Sequence, residues 1–83
     1  MYYVYVIKNT EGNIYTGYTN DLDRRLESHN KGLNKSTKGH QWEYIYYEAY
    51  RAEKDARRRE INLKKSGQAR RWLKERLQES INS

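Results

Sequence analysis

A folded form of this chain must build much of its core from tyrosine. Leu, Ile and Val together supply 13 of 83 residues, and Phe is absent, whereas tyrosine occurs nine times. With fewer than roughly 20% of these aliphatic and Phe residues and a high net charge, a chain tends to disorder. The phenolic rings answer that deficit, because each buried ring removes about 150–250 Å² from water. The expectation is a folded α+β domain spanning 1–83 with a partly phenolic core. A domain of this size buries only roughly 60–65% of its unfolded surface. It has little room for an enclosed pocket, so a substrate is expected to lie across its surface.

Several classes fall away. No apolar run approaches the ~18 residues of a membrane span. The start, Met1 followed by Tyr-Tyr-Val-Tyr-Val-Ile-Lys, lacks a basic region and a small-residue cleavage site, unlike a signal peptide. Without cysteine there is neither a disulfide framework nor a thiolate zinc site, which fits a cytoplasmic protein.

Charge is distributed unevenly. Residues 1–50 carry six basic and six acidic side chains, so the whole net charge of +6 lies in residues 51–83. Arg57-Arg58-Arg59, Lys64-Lys65 and Arg70-Arg71 recur along that segment. Such a run can be a solvated helical face. Its asymmetry points instead to a phosphate-binding surface, with nucleic acid as the partner.

Residues 2–8 read as a strand, Asn9 to Asn13 as a turn, and Ile14 to Tyr18 as the returning strand of a hairpin. Asn20 or Asp21 can cap a helix that runs to about Lys31 and stops at Gly32. Leu22, Leu26, His29 and Leu33 fall on one stripe. Residues 34–41 read as a loop and Trp42 to Tyr50 as a third strand. A second helix begins at Ala52 and is broken at Ser66-Gly67. Ala69, Leu73, Leu77 and Ile81 form the inner stripe of a third. The order is β-β-α-β-α-α, with a small three-stranded sheet, antiparallel or mixed, flanked by helices.

Glu60 is the most informative carboxylate. It follows Ala56 by four residues and precedes Leu63 by three, on or beside the inward stripe, where a carboxylate is costly unless paired or metal-bound. A salt bridge to Arg25 or a neighbouring arginine and a role as metal ligand both remain open. Tyr5 and Tyr15 share a sheet face if the turn centres near Thr10 or Glu11, either as a core pair or as a reactive one. Arg25 and His29 lie four apart on the first helix and can reach one spot. Arg25 beside apolar surface is suited to hold a phosphate. Gly17, at the end of the hairpin, allows close backbone approach.

These residues resemble a known family. Tyr3-Val4-Tyr5 and Tyr15-Thr16-Gly17 are similar to the two halves of the GIY-YIG nuclease signature. Asp21-Leu22-Asp23-Arg24-Arg25-Leu26, His29-Asn30-Lys31-Gly32 and Ala56 to Lys65 resemble the following helices of its small stand-alone members. The likeness extends to the nuclease domain of the excision-repair incision subunit. It implies an endonuclease that hydrolyses DNA phosphodiesters, on single-stranded or branched DNA in repair or recombination. It also implies one Mg²⁺ or Mn²⁺ on Glu60, Arg25 on the scissile phosphate, and Tyr5 and Tyr15 beside the attacking water, with His29 next to the reaction.

Asn30, Thr37 and Lys64 match recurrent polar positions. With Gly17, Arg57, Arg58, Lys65 and Arg70 they make up the expected nucleic-acid contacts. Tyr5 is taken as the base and Tyr15 as its partner, with the tyrosine pKa lowered by Arg25, the metal and the basic helix. Two departures stand out: Tyr3 occupies a position where glycine is usual, and Trp72 one where a polar residue is frequent. A monomer is expected, with a transient dimer as a route to double-strand breaks. The competing reading is a non-catalytic nucleic-acid-binding module.

Overall fold

The computed structural model describes residues 1–83. Three strands, β1 (Tyr2–Asn9), β2 (Ile14–Thr19) and β3 (Trp42–Tyr50), form an antiparallel sheet in the order β2-β1-β3. Four helices complete the α+β fold: α1 (Leu22–Asn30), α2 (Glu53–Lys65), α3 (Gly67–Arg76) and α4 (Gln78–Asn82). None of them is long and apolar enough to cross a membrane.

The uninterrupted apolar run of β1 follows from its central position. Val4, Tyr5, Val6 and Ile7 are all buried. Val4 and Val6 pack with Ala56 and Leu63 of α2 and with Ala69, Leu73 and Leu77. Tyr5 and Ile7 turn to the other face, where Trp42, Leu22, Leu26, Tyr15 and Tyr44 gather. The sheet is therefore covered by α2–α4 on one face and, over part of the other, by α1.

The hairpin turn is stabilised by Asn9, whose Oδ1 accepts from the backbone N–H groups of Glu11 and Asn13, both at 2.9 Å. Tyr5 then pairs with Gly17, and Ile7 with Tyr15. Tyr5 and Tyr15 thus share a face as diagonal neighbours. The β1–β3 pairing shifts between Val6 and Ile7: Val6 faces Tyr46 and Ile7 faces Tyr44, leaving Ile45 as the extra residue of a bulge.

Asp21 caps α1 by accepting from the Arg24 N–H at 3.0 Å. Gly32, at φ +74, turns the chain away after it. Leu33 therefore lies beyond the helix and is 73% exposed, not on the apolar stripe as its spacing suggested. Ser66 ends α2 and also caps α3 through the Ala69 N–H. Arg70 donates to the carbonyls of Leu63 and Lys64, which have no partner within α2.

The third helix is shorter than its periodicity predicts. It stops at Leu77, whose N–H bonds the carbonyls of both Leu73 and Lys74, and α4 begins afresh. The break leads the last turn to Lys8, which donates to the carbonyls of Ile81 and Ser83 at 2.7 and 2.9 Å. Ile81 still packs against the main cluster.

Candidate active site

The central strand places Tyr5 at the middle of the sheet, 1% exposed, directly opposite Gly17. A Cβ at position 17 would lie 2.5 Å from the Tyr5 Cζ and closer still to its hydroxyl. The phenol thus fills the space where a β2 side chain would stand, and Gly17 serves close packing.

From there a buried hydrogen-bond chain runs inward. The Tyr5 hydroxyl meets His29 Nε2 at 2.6 Å, and His29 Nδ1 meets Thr37 Oγ1 at 2.6 Å. Thr37 donates to the carbonyl of Asn34 at 3.4 Å. A carbonyl can only accept, so the Thr37 oxygen is left to accept the Nδ1 proton. That assignment leaves Nε2 as an acceptor for the Tyr5 O–H.

The loop that carries Thr37 is held by the Trp42 indole, which donates to the Thr37 carbonyl at 2.9 Å. Asn30 brackets the Trp42 backbone, its Oδ1 accepting from the N–H at 2.6 Å and its Nδ2 donating to the carbonyl at 3.1 Å. The sequence reading assigned Thr37 and Asn30 to nucleic-acid contact, and the structure corrects that placement. Thr37 has no exposed surface, and the Asn30 amide is taken up by β3. Thr37 holds His29 directly, and Asn30 anchors Trp42, whose indole holds the Thr37 loop.

Burial pushes the Tyr5 phenol well above the ordinary tyrosine pKa. The Arg25 charge pulls it down, while Tyr15, Tyr44 and Glu60 add to the rise. Arg25 by itself does not bring it down to the ordinary value: in a site this enclosed, loss of hydration outweighs the arginine. The same burial, with Arg25 acting in the same direction, holds His29 below the usual histidine pKa. Tyr5 and His29 therefore face each other as neutral groups.

Arg25 acts electrostatically on Tyr5, His29 and Tyr44, so α1 brings its guanidinium to this spot. It belongs to none of the ion pairs in the structure. Tyr15 stands edge-on to His29 with ring centroids 5.3 Å apart, and Lys64 Nζ lies 5.4 Å from its ring centre. Lys64 in turn pairs with Glu60 at 3.2 Å. Glu60 thus reaches the site from the β2 side of α2, and its ion-pair partner is this lysine and no arginine.

The structure has no cluster of three or more His, Cys, Asp or Glu side chains. Glu60 is a lone carboxylate whose side chain is 20% exposed. Mg²⁺ commonly binds through one or two carboxylates, keeping waters and taking substrate phosphate oxygens. One reachable carboxylate, ion-paired with Lys64 here, fits that mode.

The remaining cations expected to meet nucleic acid divide. Arg57 lies over the Tyr18 ring at 4.5 Å and pairs with Glu53, and Arg58 pairs with Asp55. Both remain exposed, as do Lys65 and Arg70, although Arg70 also closes the end of α2. The sequence reading overlooked Tyr44, whose ring meets Tyr5 edge to face at 5.5 Å. The tyrosine density of β3 was the available signal, but its facing depends on the bulge.

Comparison with known proteins identifies the family. The family model for the GIY-YIG catalytic domain matches residues 1–75. A UPF0213 protein of Clostridium perfringens is 37% identical over 67 residues, covering 78% of this chain and 72% of the relative. One from Staphylococcus aureus is 37% identical over 65 residues, covering 76% and 79%. The solution NMR structure of a UPF0213 protein from Bacillus halodurans is similar with a TM-score of 0.54 and 34% identity, over 88% of this chain and 82% of that one. On this evidence the chain belongs to the GIY-YIG nuclease family, alongside its small UPF0213 members.

Proposed function

We propose that the protein is a divalent-metal-dependent endonuclease that hydrolyses DNA phosphodiesters, acting on single-stranded or branched DNA in repair or recombination. The observation that carries this reading is the buried Tyr5–His29–Thr37 chain packed against Gly17, with an arginine free of ion pairs and the Glu60 carboxylate both acting on the Tyr5 hydroxyl.

The mechanism needs no preformed phenolate. The Tyr5 oxygen takes a proton from the attacking water while its own proton passes to His29 Nε2. Thr37 keeps Nδ1 protonated, so Nε2 is the free acceptor. The water oxygen bonds to phosphorus, the bond to the leaving sugar oxygen breaks, and solvent protonates that oxygen. Arg25 offsets the negative charge that grows on the phosphoryl oxygens, and the half-buried Tyr15 orients the water. Glu60 would hold Mg²⁺ or Mn²⁺, which when bound stabilises the leaving oxygen as a Lewis acid. The exposed Arg57, Arg58 and Lys65 would draw the phosphate backbone toward this point.

The test incubates labelled single-stranded, duplex and branched DNA, and RNA, with Mg²⁺ or Mn²⁺, using the parent protein and Glu60→Ala. Metal-dependent cleavage that the variant loses while it still binds supports the nuclease. Binding by both proteins with cleavage by neither assigns the fold to nucleic-acid binding alone.

A further inference from the structure

One pair of aromatic side chains has no role in the core or in the chemistry above. Tyr47 lies directly across from Tyr5 in the β1–β3 register, and Tyr3 precedes Tyr5 by two residues. Alternation along a strand puts all three on one sheet face. The Tyr3 and Tyr47 rings meet edge to face, with centroids 5.7 Å apart and planes at 79°. Neither joins either hydrophobic cluster, and Tyr47 is 54% exposed. The residues α1 covers on this face, Ile7, Trp42 and Tyr44, lie at the opposite end from Tyr3.

We infer that Tyr3 and Tyr47 form a stacking platform for one unpaired nucleobase flanking the cleaved phosphate, and so select single-stranded over duplex DNA. The inference rests on the nuclease reading for the position of that phosphate. Two residues of antiparallel strand span about 6.8 Å, so the platform lies next to Tyr5 along β1. Aromatic stacking tolerates any base, because every base has a π-face. Bases inside a duplex already have both faces stacked, so this surface reaches them only after unpairing. Arg25, brought to this face by α1, supplies a cation for the strand's phosphates.

The test separates binding from cleavage by using Glu60→Gln as the host protein. Fluorescence anisotropy is read on a labelled single strand and on the same sequence as duplex. Tyr47→Ala and Tyr3→Ala are each expected to weaken single-strand binding about 5- to 100-fold, the range of one base–aromatic stack. Duplex binding is expected to change by less than about twofold, and Tyr47→Phe should bind like the host. An abasic site at the stacked position should reproduce the loss, after which Tyr47→Ala adds nothing.

Equal losses on both DNA forms, or none on the single strand, would overturn the platform. So would self-association of the parent that Tyr47→Ala abolishes, which would assign the pair to a second copy of the chain. If the platform result holds while the parent never cuts, the nuclease reading fails alone. If the parent cuts and the tyrosine variants bind single strands normally, the platform fails alone.

Discussion

Gly17→Ala tests the site with one methyl group. The added Cβ would sit 2.5 Å from the Tyr5 Cζ. Ordinary contact begins near 3.4 Å, so the ring must retreat by about 0.9 Å. Tyr5 is 1% exposed on the central strand, with His29 and Tyr44 packed around it, and it has no empty space to enter. Overpacking of this kind costs about 1–3 kcal/mol. In a domain of this size that lowers Tm by roughly 4–8 °C per kcal/mol. The larger effect is on chemistry. A displacement of about 0.9 Å is large enough to spoil the 2.6 Å bond to His29. A misplacement near 1 Å can cost about 10²-fold in rate. Thermal unfolding by circular dichroism and single-turnover cleavage of a labelled single strand read the two effects. A variant that melts with the parent and cuts at the parental rate would refute the close approach of Gly17 and Tyr5, and with it the role of the chain beneath.

Three further perturbations probe the surroundings. Thr37→Val leaves the His29 Nδ1 proton buried without an acceptor, so it should cost about 1–3 kcal/mol in denaturant unfolding and lower kcat with KM unchanged, while Thr37→Ser restores both. His29 has a folded pKa below its unfolded value near 6.5, so the unfolded chain binds a proton first as pH falls. Its contribution is full above pH 6.5 and is lost progressively below it. Unfolding free energies at pH 5 and 7.5 should differ less in His29→Asn than in the parent. Glu48 accepts two bonds from Arg59 and one each from Tyr46 and Tyr50, so Glu48→Ala should destabilise by about 2–3 kcal/mol, read as a lowered denaturation midpoint.

Much of the fold is legible because it is written locally. The third strand runs from Trp42 to Tyr50 as expected, Asp21 caps the first helix, and Ser66 ends one helix and caps the next. The hairpin register follows from a short turn and a period of two, which together put Tyr5 and Tyr15 on one face. The third helix misled because Ala69, Leu73, Leu77 and Ile81 keep helical spacing across a break at Leu77. Spacing records which side chains turn inward, and all four still do; it does not record whether the backbone between them is continuous.

The sequence by itself determined the three strands, the first two helices and the concentration of positive charge beyond residue 50. Only the tertiary structure decided what those residues do together. The bulge at Ile45 breaks the alternation of β3, so Tyr44 and Tyr47 share a face with Tyr5 while Tyr46 joins the opposite core. Thr37 found His29 across a loop whose polar residues carry no period. Burial, not charge, set the Tyr5 phenol, because hydration lost on packing depends on every element around the ring and on no neighbour in the chain.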